Sequence, residues 1–386
     1  LGSVNYTHDK LGYFQYVNSN QKLIINPDLT GIFENKTEIY YDLDKRSDTD
    51  PKLKTIYQSY KTETFLDTVG VQNQNFNWNF YAGPFDIYVD KAWIYYDKIF
   101  GDKVFGSRFY TSVYIDFLGT GITYEYKNYN TPYLIKTISN LPIVYREGSS
   151  VLASRNAHTF NFGNEIGHQI DFNRHLFDNI NILGNLSFSY RHQKEGMADL
   201  SMVDFLTMSE DSEIYDYYPF RQMYLEMNGM TLSERLYYKM EVDYFTELIF
   251  INSKNTYALT FPTHWVWKLS NWSSVTVYLE MQSKTEKQLY LVDYSLADEK
   301  QYANHYVSMS YNHFGKWTLT GFYDREAVSD KVHQWPGLDF SFYLNSESQI
   351  SLFYGSQKGG LICANGICAE QPGFEDGVKI TMRSLF

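Results

Sequence analysis

The chain has 386 residues and a formal net charge of −12, and aromatic residues make up 18% of it. The negative charge argues against a nucleic-acid-binding protein, because such a protein needs a basic surface to displace counterions from phosphates. The sequence contains no apolar run of about 18 residues, which excludes an ordinary transmembrane helix. A mean hydropathy of −0.41 is compatible with a membrane β-barrel, whose strands are only half apolar.

Apolar and polar residues alternate along most of the chain, and this period of two predicts β-strands. The N-terminal part is ambiguous, since 57–65 and 71–81 can be one long strand or two. Further along, the alternating segments reach about ten residues, the length that a tilted strand needs to cross a bilayer. They lie at 182–190, 236–244, 275–281, 317–323, 338–344 and 350–354.

The connections between these segments alternate between short and long. Short turns are expected near 83–84, 117–121, 178–179, 231–233, 269–271, 315–316 and 345–347. Long polar stretches lie at 42–52, 128–164, 192–218, 282–303, 324–335 and 355–376. Outer-membrane barrels have short periplasmic turns and long extracellular loops, whereas β-sandwiches show no such regular alternation. We therefore predict one all-β domain over 1–386, a closed antiparallel transmembrane β-barrel of about 16 strands, within a range of roughly 14 to 18.

The C-terminal segment also has the pattern of a barrel strand. Val378, Ile380, Met382 and Phe386 are apolar and alternate with polar residues, although Ser384 interrupts the apolar row. A terminal aromatic residue in such a row resembles the signal by which the barrel-assembly machinery recognises outer-membrane proteins. The alternative is the last strand of a soluble β-sandwich.

Cys363 and Cys368 are the two cysteines of the chain, and they flank the turn-forming dipeptide Asn365-Gly366. A hairpin tip at this dipeptide brings the two residues close enough for a disulfide, which indicates an oxidising compartment. A metal site is the alternative, but no further Cys or His pair nearby completes a zinc set. Leu1 is not an initiator residue, so we expect a mature chain whose export signal has been removed.

The long stretch at 128–164 lacks strand periodicity and carries Arg146, Glu147, Arg155 and His158. A loop of this length is unusual unless it is functional or disordered. One hypothesis is that it folds into the lumen, where these four residues form part of a charged constriction. The other is an exposed loop with ordinary surface charges.

Two parts of the sequence resemble an uncharacterised outer-membrane β-barrel family of Bacteroidota-type bacteria. The first comprises Thr131-Pro-Tyr-Leu-Ile135, Leu141-Pro-Ile-Val-Tyr-Arg-Glu-Gly148 and Ser154-Arg-Asn-Ala-His158. The second comprises Gly355-Ser-Gln-Lys-Gly-Gly360 together with Cys363, Gly366, Cys368, Pro372, Phe374 and Gly377. The resemblance covers roughly 75–386 and implies a barrel in the outer membrane, without an established activity or catalytic residues.

The sequence therefore favours a porin-like channel for passive passage of small polar solutes or ions, with the acidic charge favouring cations. No compact nucleophile, phosphate-binding or haem motif is present, so we expect no enzyme, no cofactor and no metal site. The alternatives are a plugged barrel that anchors a surface-assembly or secretion complex, and a soluble secreted β-rich adhesin. Expected partners are outer-membrane lipid, the barrel-assembly machinery and other outer-membrane or surface proteins, with no nucleic acid.

Overall fold

Nineteen strands and one short 3-10 turn, η1, form the regular secondary structure of the described part of this computed structural model. The structure describes residues 2–19, 22–26, 65–98, 104–130, 145–146, 150–156, 158, 164–176, 179–192, 217–231, 233–249, 254–289, 296–313, 315–329, 331–345, 348–364, 367–371 and 373–384. The elements are β1 (Gly2–Ser19), β2 (Lys22–Asn26), β3 (Phe65–Ala82), β4 (Phe85–Lys98), β5 (Val104–Phe117), β6 (Thr120–Asn130), η1 (Ala153–Arg155), β7 (Asn164–Leu176), β8 (Ile180–Tyr190), β9 (Phe220–Thr231), β10 (Leu236–Ile249), β11 (Lys254–Ser270), β12 (Ser273–Leu289), β13 (Leu296–His313), β14 (Trp317–Val328), β15 (Lys331–Tyr343), β16 (Ser348–Gln357), β17 (Gly360–Ala364), β18 (Ile367–Gln371) and β19 (Phe374–Ser384). The all-β class is confirmed.

The chain divides into two compact units. The first comprises Leu1–Val113, Tyr126–Ile143 and Asn161–Ile166, and the second comprises Tyr114–Glu125, Val144–Phe160 and Gly167–Phe386. In the first unit, β1 pairs with β2 and β3, and β3 pairs with β4, all antiparallel. The strand β3 is continuous from Phe65, so 71–81 belongs to one long strand, while 57–64 lies outside the described residues.

In the second unit, each strand from β8 to β16 pairs antiparallel with the next, and β16 pairs with β19. The short strands β17 and β18 pair with each other and form a separate hairpin. Neighbours in sequence are therefore neighbours in this sheet, the arrangement that a meander of hairpins produces. None of the helical residues that the structure describes forms a helix long and apolar enough to cross a membrane.

The sequence-based predictions of two long loops are wrong. The stretch 282–303 is mostly strand, because β12 continues to Leu289 and β13 begins at Leu296. The stretch 324–335 is also mostly strand, since β14 ends at Val328 and β15 begins at Lys331. Both strands continue past their apolar residues, because backbone pairing does not require an apolar side chain at every second position.

The two faces of the sheet in the second unit differ sharply in polarity. One face, called the polar face below, is largely buried, and its residues include Gln222, Glu226, Asp243, Glu247, Thr260, Glu280, Gln282, Asn304, Asp324 and Ser341. The opposite face, called the apolar face, is exposed, and its residues include Met223, Leu225, Met227, Met240, Val242, Phe261, Leu279, Met281, Val307, Met309, Leu319, Leu338, Phe340, Phe342, Ile350 and Leu352. Water-soluble proteins bury apolar residues and expose polar ones, so this sheet has the reverse arrangement.

Aromatic rings pack across the strands of the polar face, and a glycine makes room for one of these contacts. The rings of Phe322 in β14 and Phe353 in β16 stack with centroids 5.5 Å apart, although β15 runs between their strands. Gly337 in β15 lies opposite Phe322 in the register. A Cβ atom at Gly337 would lie 2.4 Å from Cζ of Phe322 and 2.7 Å from Cε2 of Phe353. The absence of a side chain at Gly337 is therefore what allows the two rings to meet.

The C-terminal strand β19 carries Val378, Ile380 and Met382 on the apolar face, with 65%, 73% and 68% of their surfaces exposed. Phe386 lies outside the described residues. In the separate hairpin, Cys363 and Cys368 are directly opposite each other, as the sequence predicts for a tip at 365–366. The disulfide between them stays a prediction.

Candidate functional site

A segment between β6 and β7 lies against the polar face of the second unit. Its described residues are 145–146, 150–156 and 158, and it is called the β6–β7 segment below. It includes three of the four residues that the sequence suggests for a constriction, namely Arg146, Arg155 and His158. Glu147 lies outside the described residues.

The carboxylate of Glu280 holds the middle of the β6–β7 segment. Its Oε1 accepts a hydrogen bond from the backbone N–H of Val151 at 2.7 Å, and its Oε2 accepts one from the N–H of Leu152 at 2.7 Å. Only 1% of the surface of Glu280 is exposed. Next to it, Nε2 of Gln282 donates to the carbonyl oxygen of Leu152 at 3.1 Å. Charge-assisted bonds in a buried site are strong, so Glu280 fixes the backbone immediately before η1.

Two arginines attach the β6–β7 segment to other strands of the polar face. Arg155, at the end of η1, donates from Nη2 to Oδ2 of Asp324 in β14 at 2.5 Å and from Nη1 to Oδ1 at 3.4 Å. Arg146 lies over the ring of Tyr224 in β9, with 3.8 Å between the guanidinium carbon and the ring centroid. It also lies 3.5 Å from Oε2 of Glu226. The planar guanidinium suits both the paired carboxylate contact and the stacking contact.

His158 attaches the end of the segment through a chain of hydrogen bonds. Its Nδ1 is 2.8 Å from Oε1 of Glu247, and its Nε2 is 3.1 Å from Oγ of Ser189. Its ring stacks on that of Phe220 with centroids 3.9 Å apart and an interplanar angle of 18°. The edge of the Tyr145 ring packs against the same two rings.

The order serine, histidine, carboxylate is also that of a nucleophilic triad. However, only 1% of the surface of Ser189 is exposed, so an acyl carbonyl has no route to its oxygen. We interpret the Ser189–His158–Glu247 chain as an attachment of the segment to β8 and β10.

The attachment points show that the β6–β7 segment crosses part of the sheet. Arg155 binds to β14, whereas His158, only three residues later, binds to β8 and β10. The strands β10 and β14 are four positions apart, or about 19 Å along the sheet at ~4.8 Å per strand. Three residues of extended backbone reach at most about 11 Å, so the side chains of both residues complete the span. The segment therefore stands over the polar face between these strands.

Other carboxylates of the polar face are paired with neighbouring side chains rather than with the segment. The Tyr224 hydroxyl donates to Glu241, and Lys239 Nζ lies 2.8 Å from Oε1 of the same carboxylate. Asp243 accepts from Nε2 of Gln222 at 3.1 and 3.2 Å. The surface below the segment thus carries charges of both signs and many hydrogen-bonding groups, which suits water, ions and polar solutes.

The partners of the segment were not predicted from sequence. Glu226 lies between the exposed Leu225 and Met227, and Glu280 lies between the exposed Leu279 and Met281, in strands whose polar and apolar positions alternate. That alternation is the signal that could have placed them on the same face as an inward-folded loop. In the part of the chain that the structure describes, no group of three or more His, Cys, Asp or Glu residues is arranged to hold a metal ion.

Comparisons with known proteins give only distant similarities. No family model matches the chain, and no curated protein matches it. An anion-selective porin from Comamonas acidovorans is 10% identical, with 100% of both chains covered and a TM-score of 0.37. The outer membrane channel DcaP of Acinetobacter baumannii is 10% identical, with 100% of this chain and 97% of that chain covered and a TM-score of 0.35. Pseudomonas aeruginosa OccK9 (OpdG) is 9% identical, with 98% and 86% covered and a TM-score of 0.35.

Proposed function

We propose that the chain forms a porin-like channel in the bacterial outer membrane, as a single closed antiparallel β-barrel of about 16 strands. The observation that carries this proposal is the reversed polarity of the sheet in the second unit, with an exposed apolar face and a buried polar face. In a membrane the apolar face contacts lipid and the polar face lines the lumen. Closure supports this arrangement physically, because an open sheet edge has no hydrogen-bonding partners in hydrocarbon.

The β6–β7 segment supports a channel with a narrowed lumen. Its arginines and its histidine bind to carboxylates of three different strands, through the pairs Arg146–Glu226, Arg155–Asp324 and His158–Glu247. A segment that is bound at both ends and at its centre occupies part of the lumen and narrows it. Its charged side chains then lie at the narrowest point. The transported solutes are small polar molecules or ions, and the net charge of −12 favours cations.

A second candidate function is a plugged barrel that acts as an anchor or subunit of a surface-assembly or secretion complex. The number of bonds that hold the β6–β7 segment favours it, since a segment fixed in this way can also close the lumen. The proposed partners, namely outer-membrane lipid, the barrel-assembly machinery and other outer-membrane or surface proteins, are common to both candidates. The exposed residues Val378, Ile380 and Met382, with Phe386, are the proposed assembly signal.

Single-channel recording in planar bilayers tests the proposal. Purified protein is expected to give stable open steps, and Arg146→Ala together with Arg155→Ala is expected to change both conductance and ion preference. Arg235→Ala is the matched control, because Arg235 is an exposed arginine in the turn before β10. A current in the double variant equal to that of wild type would contradict the proposed constriction. A silent barrel that co-purifies with other subunits would support the second candidate instead.

A further inference from the structure

We propose that His305 and Arg325 form a binding site for the phosphate headgroup of a membrane lipid. The inference rests on the proposed membrane location, since it concerns the face of the sheet that contacts lipid. His305 in β13 and Arg325 in β14 lie directly opposite each other in the register. They occupy positions of the apolar face, because Val307 and Met309 follow His305 on that face at every second residue.

The two side chains are in contact, and the part of the chain that the structure describes gives the guanidinium no acidic partner. Arg325 Nη1 lies 3.3 Å from Nδ1 of His305, so the guanidinium donates to the imidazole. Among the described residues no carboxylate forms an ion pair with Arg325. The nearest carboxylates in sequence, Asp324 and Glu326, belong to the polar face and bind Arg155 and Lys358.

The described neighbours of the pair in the register, on its own face, are uncharged. Met281 lies opposite His305 on one side, and Gln334 lies opposite Arg325 on the other. The next positions along the two strands are occupied by Val307 opposite Tyr323 and by Ala303 opposite Ala327. A permanently charged guanidinium on a lipid-contacting face needs an anion, and none of the residues that the structure describes supplies one here.

The height of the pair places it at the edge of the hydrocarbon layer. Trp317, at the start of β14, packs against Tyr311 and His313, and such an aromatic cluster is typical of one membrane interface. Arg325 is eight residues further along β14, or about 26 Å at ~3.3 Å per residue. A strand tilt of about 40° reduces this to about 20 Å of height, close to the ~25 Å apolar band of an outer-membrane barrel. The pair is therefore level with the headgroups of the leaflet opposite to the turn at 315–316.

The chemistry of the pair fits a phosphate. The fork of a guanidinium binds two phosphate oxygens at once, and Gln334 adds an amide donor on the neighbouring strand. Nδ1 of His305 accepts from Arg325, which holds the guanidinium in place. In this site lipid phosphate is the counterion of Arg325.

Native mass spectrometry of the full-length protein in detergent, titrated with phosphatidylglycerol, tests this site. Arg325→Ala is expected to weaken lipid binding by about tenfold or more, the effect of losing charge-assisted hydrogen bonds to phosphate. Arg325→Lys, which keeps the charge and loses the fork, is expected to fall between wild type and Arg325→Ala. Arg235→Ala, in the exposed turn before β10, serves as the control and is expected to bind lipid as wild type does.

Two outcomes would contradict the proposed lipid site. One is lipid binding by Arg325→Ala within twofold of wild type, and the other is complete displacement of the lipid by millimolar inorganic phosphate, which would indicate a site for free phosphate. The proposed membrane location is tested by a separate observation: if it is wrong, the wild-type protein is extracted without detergent. Channel recordings of Arg325→Ala are expected to match wild type, because the residue lies on the face opposite to the β6–β7 segment.

Discussion

Replacement of Glu280 by alanine should release the β6–β7 segment from the polar face. The carboxylate is 1% exposed and accepts the backbone N–H groups of Val151 and Leu152, each at 2.7 Å. Removing it leaves the buried N–H of Leu152 and the partly buried N–H of Val151 without this acceptor, at up to about 1–3 kcal/mol each, or roughly 2–6 kcal/mol together. Glu280→Gln keeps one acceptor oxygen and should lose about half of that amount.

Hydrogen exchange measures this loss directly, because the amide protons of Val151 and Leu152 exchange only when their bonds to Glu280 open. A loss of about 2 kcal/mol corresponds to exchange on the order of 30-fold faster at these two amides. In the proposed channel, the same variant should show larger current fluctuations than wild type, since the segment is then free to move in the lumen.

Glu299→Gln is the matched control for this experiment. Glu299 is an exposed carboxylate of β13, and its Oε2 lies 4.0 Å from Nζ of Lys287. Exchange at Val151 and Leu152 should be unaffected by this change. Equal protection of these amides in wild type and Glu280→Ala would refute the assignment of Glu280 as the anchor of the segment.

Three further predictions concern the sheet and the separate hairpin. Ile380→Lys places a charge on the apolar face and should destabilise the membrane-inserted protein by up to about 2–4 kcal/mol, measured by urea unfolding in lipid vesicles. Gly337→Ala introduces a Cβ into the space between two stacked phenylalanine rings and should cost about 1–3 kcal/mol in the same assay. Cys363 and Cys368, which are opposite each other in the hairpin, should resist alkylation until a reductant is added, as shown by the mass of the alkylated protein.

Each of these three predictions has an internal control. Thr381→Lys, one residue along β19 and on the opposite face, should be tolerated far better than Ile380→Lys, and equal effects would contradict the proposed lipid contact. Gly321→Ala should be nearly neutral, because a Cβ there would meet Cδ1 of Leu338 only at 4.0 Å. Alkylation of both cysteines without reductant would disprove the disulfide.

The alternation of apolar and polar residues was sufficient to predict an all-β chain of antiparallel hairpins, because the period of two is a local property. The lengths of the strands were not predictable from it. In β12 the positions of the apolar face change from Leu279 and Met281 to Ser283, Thr285 and Lys287, and the sequence there is typical of a loop. Pairing with β13 keeps those residues in a strand, and such pairing depends on a partner that the local pattern does not identify.

The same distinction applies to the candidate site. The sequence alone identified Arg146, Arg155 and His158 as charged residues of a long segment without strand periodicity, but it left open whether that segment is exposed or folded inward. Only the tertiary structure brings Arg155 to Asp324, which is 169 residues away, and Val151 to Glu280, which is 129 residues away. Many strands carry an acidic residue at an inward position, so nothing in the local sequence selects which carboxylate a distant loop will bind. That choice is made by strand register and by the path of the chain across the polar face.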